Sequence, residues 1–338
     1  MKDNSVRFRN IFFISAILVS VSCERTSLED GDMLNYRSET KSIPSKKLDH
    51  FFFIGSYGGQ FSIYKFELND NSYQIFWYSP KETVVKYLYS RDFKYAFFLT
   101  ARKIGTDKGL SFISGIKLYR LDPEQLIVEE LSNIGDAIQI FIQWTGMNLN
   151  IQFTRFNLKI ASYIDKINQL YSPFGKLLKE DNEAFDFIND HYPQFDIGKV
   201  SLTSPSGNFE VIQSADSILL KIANDEQKIF IDSTSESVSK VKWSSSEDYI
   251  IFTVISKKDV KGKIGSSRLL VYNLRDQILE IDVESTEQID FIITDDLVIY
   301  ERETNFESYL TVYNFEKDEE IYRINVKGGC ALSTMPGV

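Results

Sequence analysis

Two cysteines and two histidines in 338 residues leave no room for a disulfide framework and little for a metal site built on thiolate and imidazole. Basic charge is also in deficit. Lys and Arg number 38 against 48 Asp and Glu, a net charge of -10, and a surface that binds nucleic-acid phosphates needs the opposite balance. No DNA or RNA partner is expected. Proline, with 7 residues, and glycine, with 17, fall short of a collagenous or low-complexity chain. No apolar run approaches the roughly 20 residues of a membrane-spanning helix. The G-x-S-x-G elbow, the H-E-x-x-H pair and the P-loop are all missing, so no catalytic residue is assigned and no cofactor is expected. His50, at the start of a predicted strand, and His191, beside Tyr192 and Pro193, are too isolated to suggest a metal pair, and carboxylate pairs such as Asp295 and Asp296 carry little information in so acidic a chain. What is abundant is apolar surface: 43% hydrophobic and 14% aromatic residues predict a folded chain with a large core.

The first residues read as an address. Lys2, Arg7 and Arg9 precede an apolar run over 11–21 that closes in small residues, the plan of a secretory signal peptide over 1–22. Ser20-Val21-Ser22-Cys23 resembles the lipobox of bacterial lipoproteins, with Ser20 where Leu is usual. The resemblance implies lipidation of Cys23, a tethered protein of the bacterial envelope, and attachment to the membrane through that lipid, facing the periplasm or the cell surface. Residues 23–47, polar and without periodicity, are expected to be the lipidated Cys and a flexible linker. Their acidic cluster of Glu24, Glu29, Asp30 and Asp32 is similar to the surface-export signals of some Bacteroidota lipoproteins. Cys330 is then left without a partner and is expected to be a buried, quiet thiol.

From residue 48 to 338 the pattern is one of short β-branched and aromatic runs separated by polar turns, which predicts many strands in an all-β domain. Two units recur in alternation. The first is an apolar stretch, a small polar turn and a second apolar stretch, with Tyr89, Trp144, Thr203 and Trp243 at the turns. The second is an apolar stretch carrying Tyr64, Tyr119, Tyr272 or Tyr313, with Lys221 standing in once, followed by a turn and another strand. Counting a degenerate copy near Ser162, six copies of roughly 40 to 50 residues are present, the signature of a six-bladed β-propeller with four strands per blade. Trp243 to Phe252 and the Ser204 to Asn208 turn resemble the repeat of TolB-like and dipeptidyl-peptidase-type propellers, which implies a fold and a style of interaction but no reaction. The first copy lacks a strand and the tail 328–338 has no place in any copy, so residues 330–335 are expected to complete the first blade and close the ring.

Two loops between second and third strands are expected to be long and basic: 101–115, with Arg102, Lys103 and Lys108, and 256–268, with Lys257, Lys258, Lys261 and Lys263. The third-to-fourth turns are acidic, at Asp70, Asp122 and Glu124, Asp225 and Glu226, and Asp318 to Glu320. A polarised ring would steer a partner onto one face, and the four lysines of 257–263 are the candidate partner-binding loop. Residues 173–197 hold Leu177, Leu178, Ala184, Phe185 and Ile188 at near-helical spacing and predict a short amphipathic helix ended by Pro193. The expected function is a non-enzymatic scaffold or protein-binding module, monomeric, that pairs with another envelope protein. A metal-dependent hydrolase or lactonase on the same ring is the alternative, and a carbohydrate-binding envelope protein a third reading.

Overall fold

A computed structural model describes residues 48–90, 94–107, 110–145, 148–157, 162–183, 200–204, 206–213, 217–222, 225–231, 236–256, 267–276, 278–285, 289–294, 296–303, 307–333 and 335. Residues 1–47 lie outside this set, and with them the expected signal peptide, Cys23 and linker.

The described chain is all-β and antiparallel. The first sheet runs β1 (His50–Tyr57), β2 (Gln60–Glu67) and β3 (Ser72–Trp77). A larger sheet follows: β4 (Thr83–Tyr89), β5 (Ala96–Ala101), β6 (Lys103–Asp107), β7 (Leu110–Asp122), β8 (Ile127–Thr145), β9 (Asn148–Asn157), β10 (Ser162–Tyr171) and β11 (Leu177–Glu183). Three four-stranded meanders complete the series: β12 (Val200–Thr203) to β15 (Asp225–Ile231) through β13 (Phe209–Gln213) and β14 (Ser217–Ile222); β16 (Glu236–Trp243) to β19 (Ile278–Ser285) through β17 (Tyr249–Ser256) and β18 (Ser267–Asn273); and β20 (Phe291–Thr294) to β23 (Glu319–Ile324) through β21 (Leu297–Glu303) and β22 (Ser308–Asn314). In the larger sheet β8 has two roles. Its first half, to Ala137, pairs with β7, and its second half, from Ala137, pairs with β9. Gly135, at φ 91°, lies where the pairing changes hands.

Burial follows position within each sheet. The second strands are covered on both faces, so β5 (AFFLTA) is buried at every residue and β1 at five consecutive ones, while the outer strands β3 and β23 are mostly exposed. The two faces of β1 divide its side chains with period two. Phe51 and Phe53 pack with Ile292, Ile299, Leu310 and Val312 of the last sheet, whereas Phe52 and Ile54 pack with Val84, Tyr87 and Phe98 of the second. Strand β17 does the same, sending Ile250 and Phe252 toward Val211 and Leu220, and Tyr249 and Ile251 toward Phe291 and Val298. The first sheet thus packs on the larger one and on the last, and β16–β19 packs between β12–β15 and β20–β23, the face-to-face arrangement of β-propeller blades.

The ring is joined by the tail. Strand β24 (Cys330–Ala331) pairs with the inner edge of β1, Gly55 opposite Cys330 and Ile54 opposite Ala331, so the first sheet reads β24-β1-β2-β3. The ladder is shorter than the expected 330–335. Beyond Ala331 the segment turns to the next sheet, where the Tyr87 amide donates to the Ser333 carbonyl at 2.6 Å and the Met335 amide to the Val85 carbonyl at 3.4 Å.

Candidate functional site

In an antiparallel meander that starts at the axis, the hairpin between second and third strands leaves on one face and the hairpin between third and fourth on the other. The basic segment 101–115 belongs to the first face. The segment 101–115 is not a loop, however. It forms the β6–β7 hairpin, paired from Lys103 opposite Ser114 to Asp107 opposite Leu110. Pairing is favoured here because Ile104 and Ile113 are opposite each other and the Lys103 ammonium lies over the Phe112 ring, 5.5 Å from its centre. Asp136 of β8 fixes the base, its Oδ1 accepting from the Ser114 hydroxyl at 2.7 Å and the Gly115 amide at 2.9 Å. Gly115 has φ 63°, and a Cβ there would come 2.2 Å from Arg102 Nε. Arg102 and Lys103 are thus carried on a paired hairpin. Lys108 and the whole of Lys257, Lys258, Lys261 and Lys263 lie outside the described residues. The strands that flank the latter, β17 and β18, form the equivalent hairpin of their own sheet.

The opposite face holds what sequence reasoning missed. The β10–β11 turn is closed by Gly175 N–H to the Ser172 carbonyl at 2.9 Å and Ser172 N–H to the Lys176 carbonyl at 2.8 Å. Gly175 has φ 82°, a left-handed backbone that favours glycine, and a Cβ there would meet the Leu131 side chain at 2.7 Å. This turn displays Phe174 at 67% exposure. Leu177 and Leu178 follow, both exposed, and they belong to strand β11, not to the start of a helix. Pairing with the edge of β10 overrides the near-helical spacing of the apolar residues. Ala184, Phe185, Ile188 and Pro193 lie outside the described residues. The neighbouring β7–β8 turn presents Leu126 and Ile127, again exposed, with Leu126 at φ 56°. The two turns are linked through Arg120, which donates to the Phe174 carbonyl at 3.0 Å and pairs with Glu129 at 3.0 Å, two residues along β8 from Ile127. Five of the ten exposed large apolar side chains among the described residues therefore gather on two adjacent hairpins. The available signal was the Leu-Ile and Leu-Leu pairs that directly follow turns, positions where an outer strand is open to solvent.

Two clusters of titratable groups complete the inventory. Glu82 is buried and accepts hydrogen bonds from the Thr100 hydroxyl and the Tyr119 hydroxyl, each at 3.0 Å, while Lys117 bridges it to Glu130 at 3.0 and 2.9 Å. Burial acts to raise the Glu82 carboxyl, but the bonds from Lys117, Thr100 and Tyr119 outweigh it and hold the group below the usual range. Hydrogen bonds to Glu130 and Glu82 raise the Lys117 ammonium, and burial, then Glu82, pushes the Tyr119 hydroxyl up to about 12. All three move away from neutrality, the reverse of what proton transfer at pH 7 requires, so this network acts as a brace. The second cluster surrounds Glu301, at the end of β21 under the tail. Cys330 beside it is a buried thiol, pushed up to about 12 chiefly by burial, in keeping with a quiet cysteine. His50 sits at the start of β1 with Nε2 3.1 Å from the Pro123 carbonyl; burial leads the causes that lower it. Among the described residues, no group of three or more His, Cys, Asp or Glu is arranged to hold a metal ion.

No protein-family model and no curated protein sequence matches the chain. Among solved structures it is similar to TolB from Acinetobacter baumannii, at TM-score 0.43 and 8% identity over 89% of this chain and 67% of that one. It is also similar to a putative 6-phosphogluconolactonase from Bacteroides fragilis, at TM-score 0.41 and 12% identity over 84% of this chain and 97% of that one. A chain of a nidogen–laminin complex gives 0.40 and 10%, over 83% and 97%.

Proposed function

We propose that the chain is a lipid-anchored six-bladed β-propeller of the bacterial cell envelope that binds another envelope protein and carries out no reaction of its own. The count of six follows when β8 serves as the outer strand of one blade and the inner strand of the next, which divides the larger sheet in two. Anchoring and location rest on the signal-like segment and Cys23.

Binding rests on one observation above the rest: Leu126, Ile127, Phe174, Leu177 and Leu178 stand exposed on two adjacent hairpins. An apolar group of this kind, rimmed by Arg120, Glu129, Lys176 and Lys179, has the make-up of a protein-binding patch. The lysines of 257–263 are the second candidate, and charge of that kind would speed encounter without supplying a buried core.

Affinity capture from solubilised membranes separates the two candidate surfaces. The native chain is compared with Phe174→Ser/Leu177→Ser/Leu178→Ser and with a variant in which Lys257, Lys258, Lys261 and Lys263 are all Glu. We expect a specific protein partner with the native chain, lost in the apolar variant and recovered more weakly in the lysine variant. Failure of any protein to co-purify with the native chain would overturn the binding reading. The mass of the Cys23 peptide, measured in the same material, tests the anchor.

A further inference from the structure

The apolar hairpins carry an aromatic knob that is held rigid in an exposed position. The Phe174 carbonyl accepts from Arg120 at 3.0 Å, and the turn around it is closed by the bonds among Ser172, Gly175 and Lys176. The Phe174 ring meets Tyr95 edge to face, 5.5 Å between centres, and the Arg120 guanidinium lies over the Tyr95 ring, 5.6 Å from its centre. Tyr95 is anchored in turn by its amide, which donates to the Ser90 hydroxyl at 2.9 Å. A ring tethered through its backbone and one edge, yet open over most of its surface, has already given up the freedom that a loose side chain loses on binding. Leu126, Ile127, Leu177 and Leu178 extend the same apolar surface.

The charge around this surface is unbalanced. Asp122, Glu124, Glu129, Glu180 and Asp181 stand beside it against Arg120, Lys176 and Lys179. Glu129 neutralises Arg120 at 3.0 Å, and Asp181 neutralises Lys179 at 2.5 Å. Asp122, Glu124 and Glu180 then outweigh Lys176. Asp122 Oδ1 accepts from the Glu124 and Gln125 amides at 3.0 and 2.9 Å, and Glu180 accepts from the Gln169 side chain at 2.7 Å; these donors are neutral and leave both charges in place. The other turns on this side of the ring add to the surplus. Asp70 and Asp276 are exposed there, as are Glu316, Asp318 and Glu319 around Lys317, while Arg275 is taken up by Asp248 through bonds of 2.8 and 2.6 Å. Such a surface repels an anionic bilayer, and it repels a second copy that presents the same side.

We propose, building on the protein-binding reading of these hairpins, that their partner is cationic: a protein surface with an apolar face ringed by Lys and Arg, which covers Phe174 and its leucine neighbours and meets the carboxylates around them. The apolar contact seats the partner, and the complementary charge selects it and brings it in.

The probes are two amphipathic helical peptides of about 15 residues that share one leucine face, with Lys at every polar position in the first and Glu in the second. Binding of each labelled peptide to the full chain is read by fluorescence anisotropy. In low salt the Lys peptide should bind the native chain about tenfold or more tighter than the Glu peptide, and added salt should shrink the difference to about twofold. Phe174→Ser/Leu177→Ser/Leu178→Ser should weaken the Lys peptide by about tenfold or more, and Asp122→Asn/Glu124→Gln by about threefold to tenfold. Asn at position 122 keeps the oxygen that closes the turn. Glu316→Gln/Glu319→Gln, the same change of charge in the last sheet, should act by less than about twofold. Equal binding of the two peptides, retention of the Lys peptide by the apolar variant, or equal loss in the two charge variants would overturn the cationic partner. So would sedimentation of the Cys23→Ala chain with anionic vesicles that the apolar substitutions abolish, which would give the hairpins to a bilayer, or a dimer that they abolish, which would give them to a second copy. Capture from membranes fails separately. An envelope protein that co-purifies through the hairpins while the two peptides bind equally would keep the protein-binding reading and remove the charge of its partner. A Lys preference at the hairpins with no co-purifying protein would keep the cationic surface match and remove the envelope partner.

Discussion

Tyr64 lies across Gly55. A Cβ at Gly55 would stand 2.7 Å from two carbons of that ring, and the ring cannot yield because it is stacked on Phe53, 5.3 Å between centres, and edged by Tyr73 at 5.8 Å. Gly55→Ala is therefore expected to cost about 1–3 kcal/mol, the range for overpacking a well-filled site. Tyr64→Ala in the same chain should absorb most of that penalty. Thermal unfolding of the double-mutant cycle checks both, and strict additivity would sink the contact. The recurrence of tyrosine at this position was legible in the sequence; its cause was not. In the copies of Tyr64, Tyr119, Tyr272 and Tyr313 the pairing with the fourth strand slips by one residue immediately before the tyrosine, and in the copy bearing Lys221 the slip falls instead between Ile218 and Leu219. A bulge leaves no mark on composition and is visible only in the register. Glu82 illustrates the same limit. Nothing in its sequence neighbourhood announces that Lys117, Thr100 and Tyr119 converge on it. Because its carboxyl is held below the usual range, the stability it adds is present above the unfolded value of 4.5 and is lost as pH falls through its folded value. Glu82→Gln should then lower stability at pH 7 by about 1.5–3 kcal/mol, the worth of hydrogen bonds to a charged group, and by much less near pH 2. Urea unfolding of the two chains at both pH values measures the difference.

At the scale of the element, the first recurring unit proves to be a hydrogen-bonded turn. Ser90, Ser204 and Ser244 each follow an inner strand, and the amide of each donates to the carbonyl of Tyr95, Phe209 and Tyr249 at 2.7, 2.9 and 3.0 Å. Each serine hydroxyl accepts in return from the amide of the same partner. Such turns were readable because their chemistry is local and needs a small hydroxyl at a fixed place. The β6–β7 hairpin and β11 were not readable, since each exists by virtue of a partner strand that composition does not reveal. Closure by the tail lay between these cases: a missing strand at one end and a spare segment at the other pointed to β24, while its two-residue length is set by the turn toward β4. Cys330, Ala331, Leu332 and Ser333 are all buried, and Cys330 and Leu332 pack among Phe51, Phe53 and Ile324. Deleting residues 328–338 should lower the melting temperature by something on the order of 10 °C, through lost apolar burial and a bared strand edge. An unchanged melting temperature would remove the tail from the account of closure.

For the whole molecule, the consequence of closure is cooperativity. A row of stacked sheets with two free ends behaves as a one-dimensional array, in which each sheet answers to its neighbours and the ends fray first. The apolar cluster that joins Phe51, Phe53 and Phe66 of the first sheet to Ile292, Ile299, Leu310 and Val312 of the last, together with β24, removes those ends. The chain supplies its own reporters, since its 3 tryptophans are distributed round the series. Trp77 packs on Phe98 and Tyr119 between the first and second sheets, Trp144 on Phe97 within the larger sheet, and Trp243 against Phe209 between the β12–β15 and β16–β19 sheets. Three variants, each retaining one tryptophan with Phe at the other two positions, should report the same denaturant midpoint by fluorescence after correction for the stability of each variant, because a closed ring unfolds as a unit. Combined with deletion of 328–338, the three should separate. Trp77, next to the opened seam, should report unfolding at lower denaturant than Trp243 on the far side. Separate midpoints in the intact chain would mean that the stacked sheets act as independent neighbours, and coincident midpoints after deletion would mean that the Phe51 to Val312 packing closes the ring without the tail.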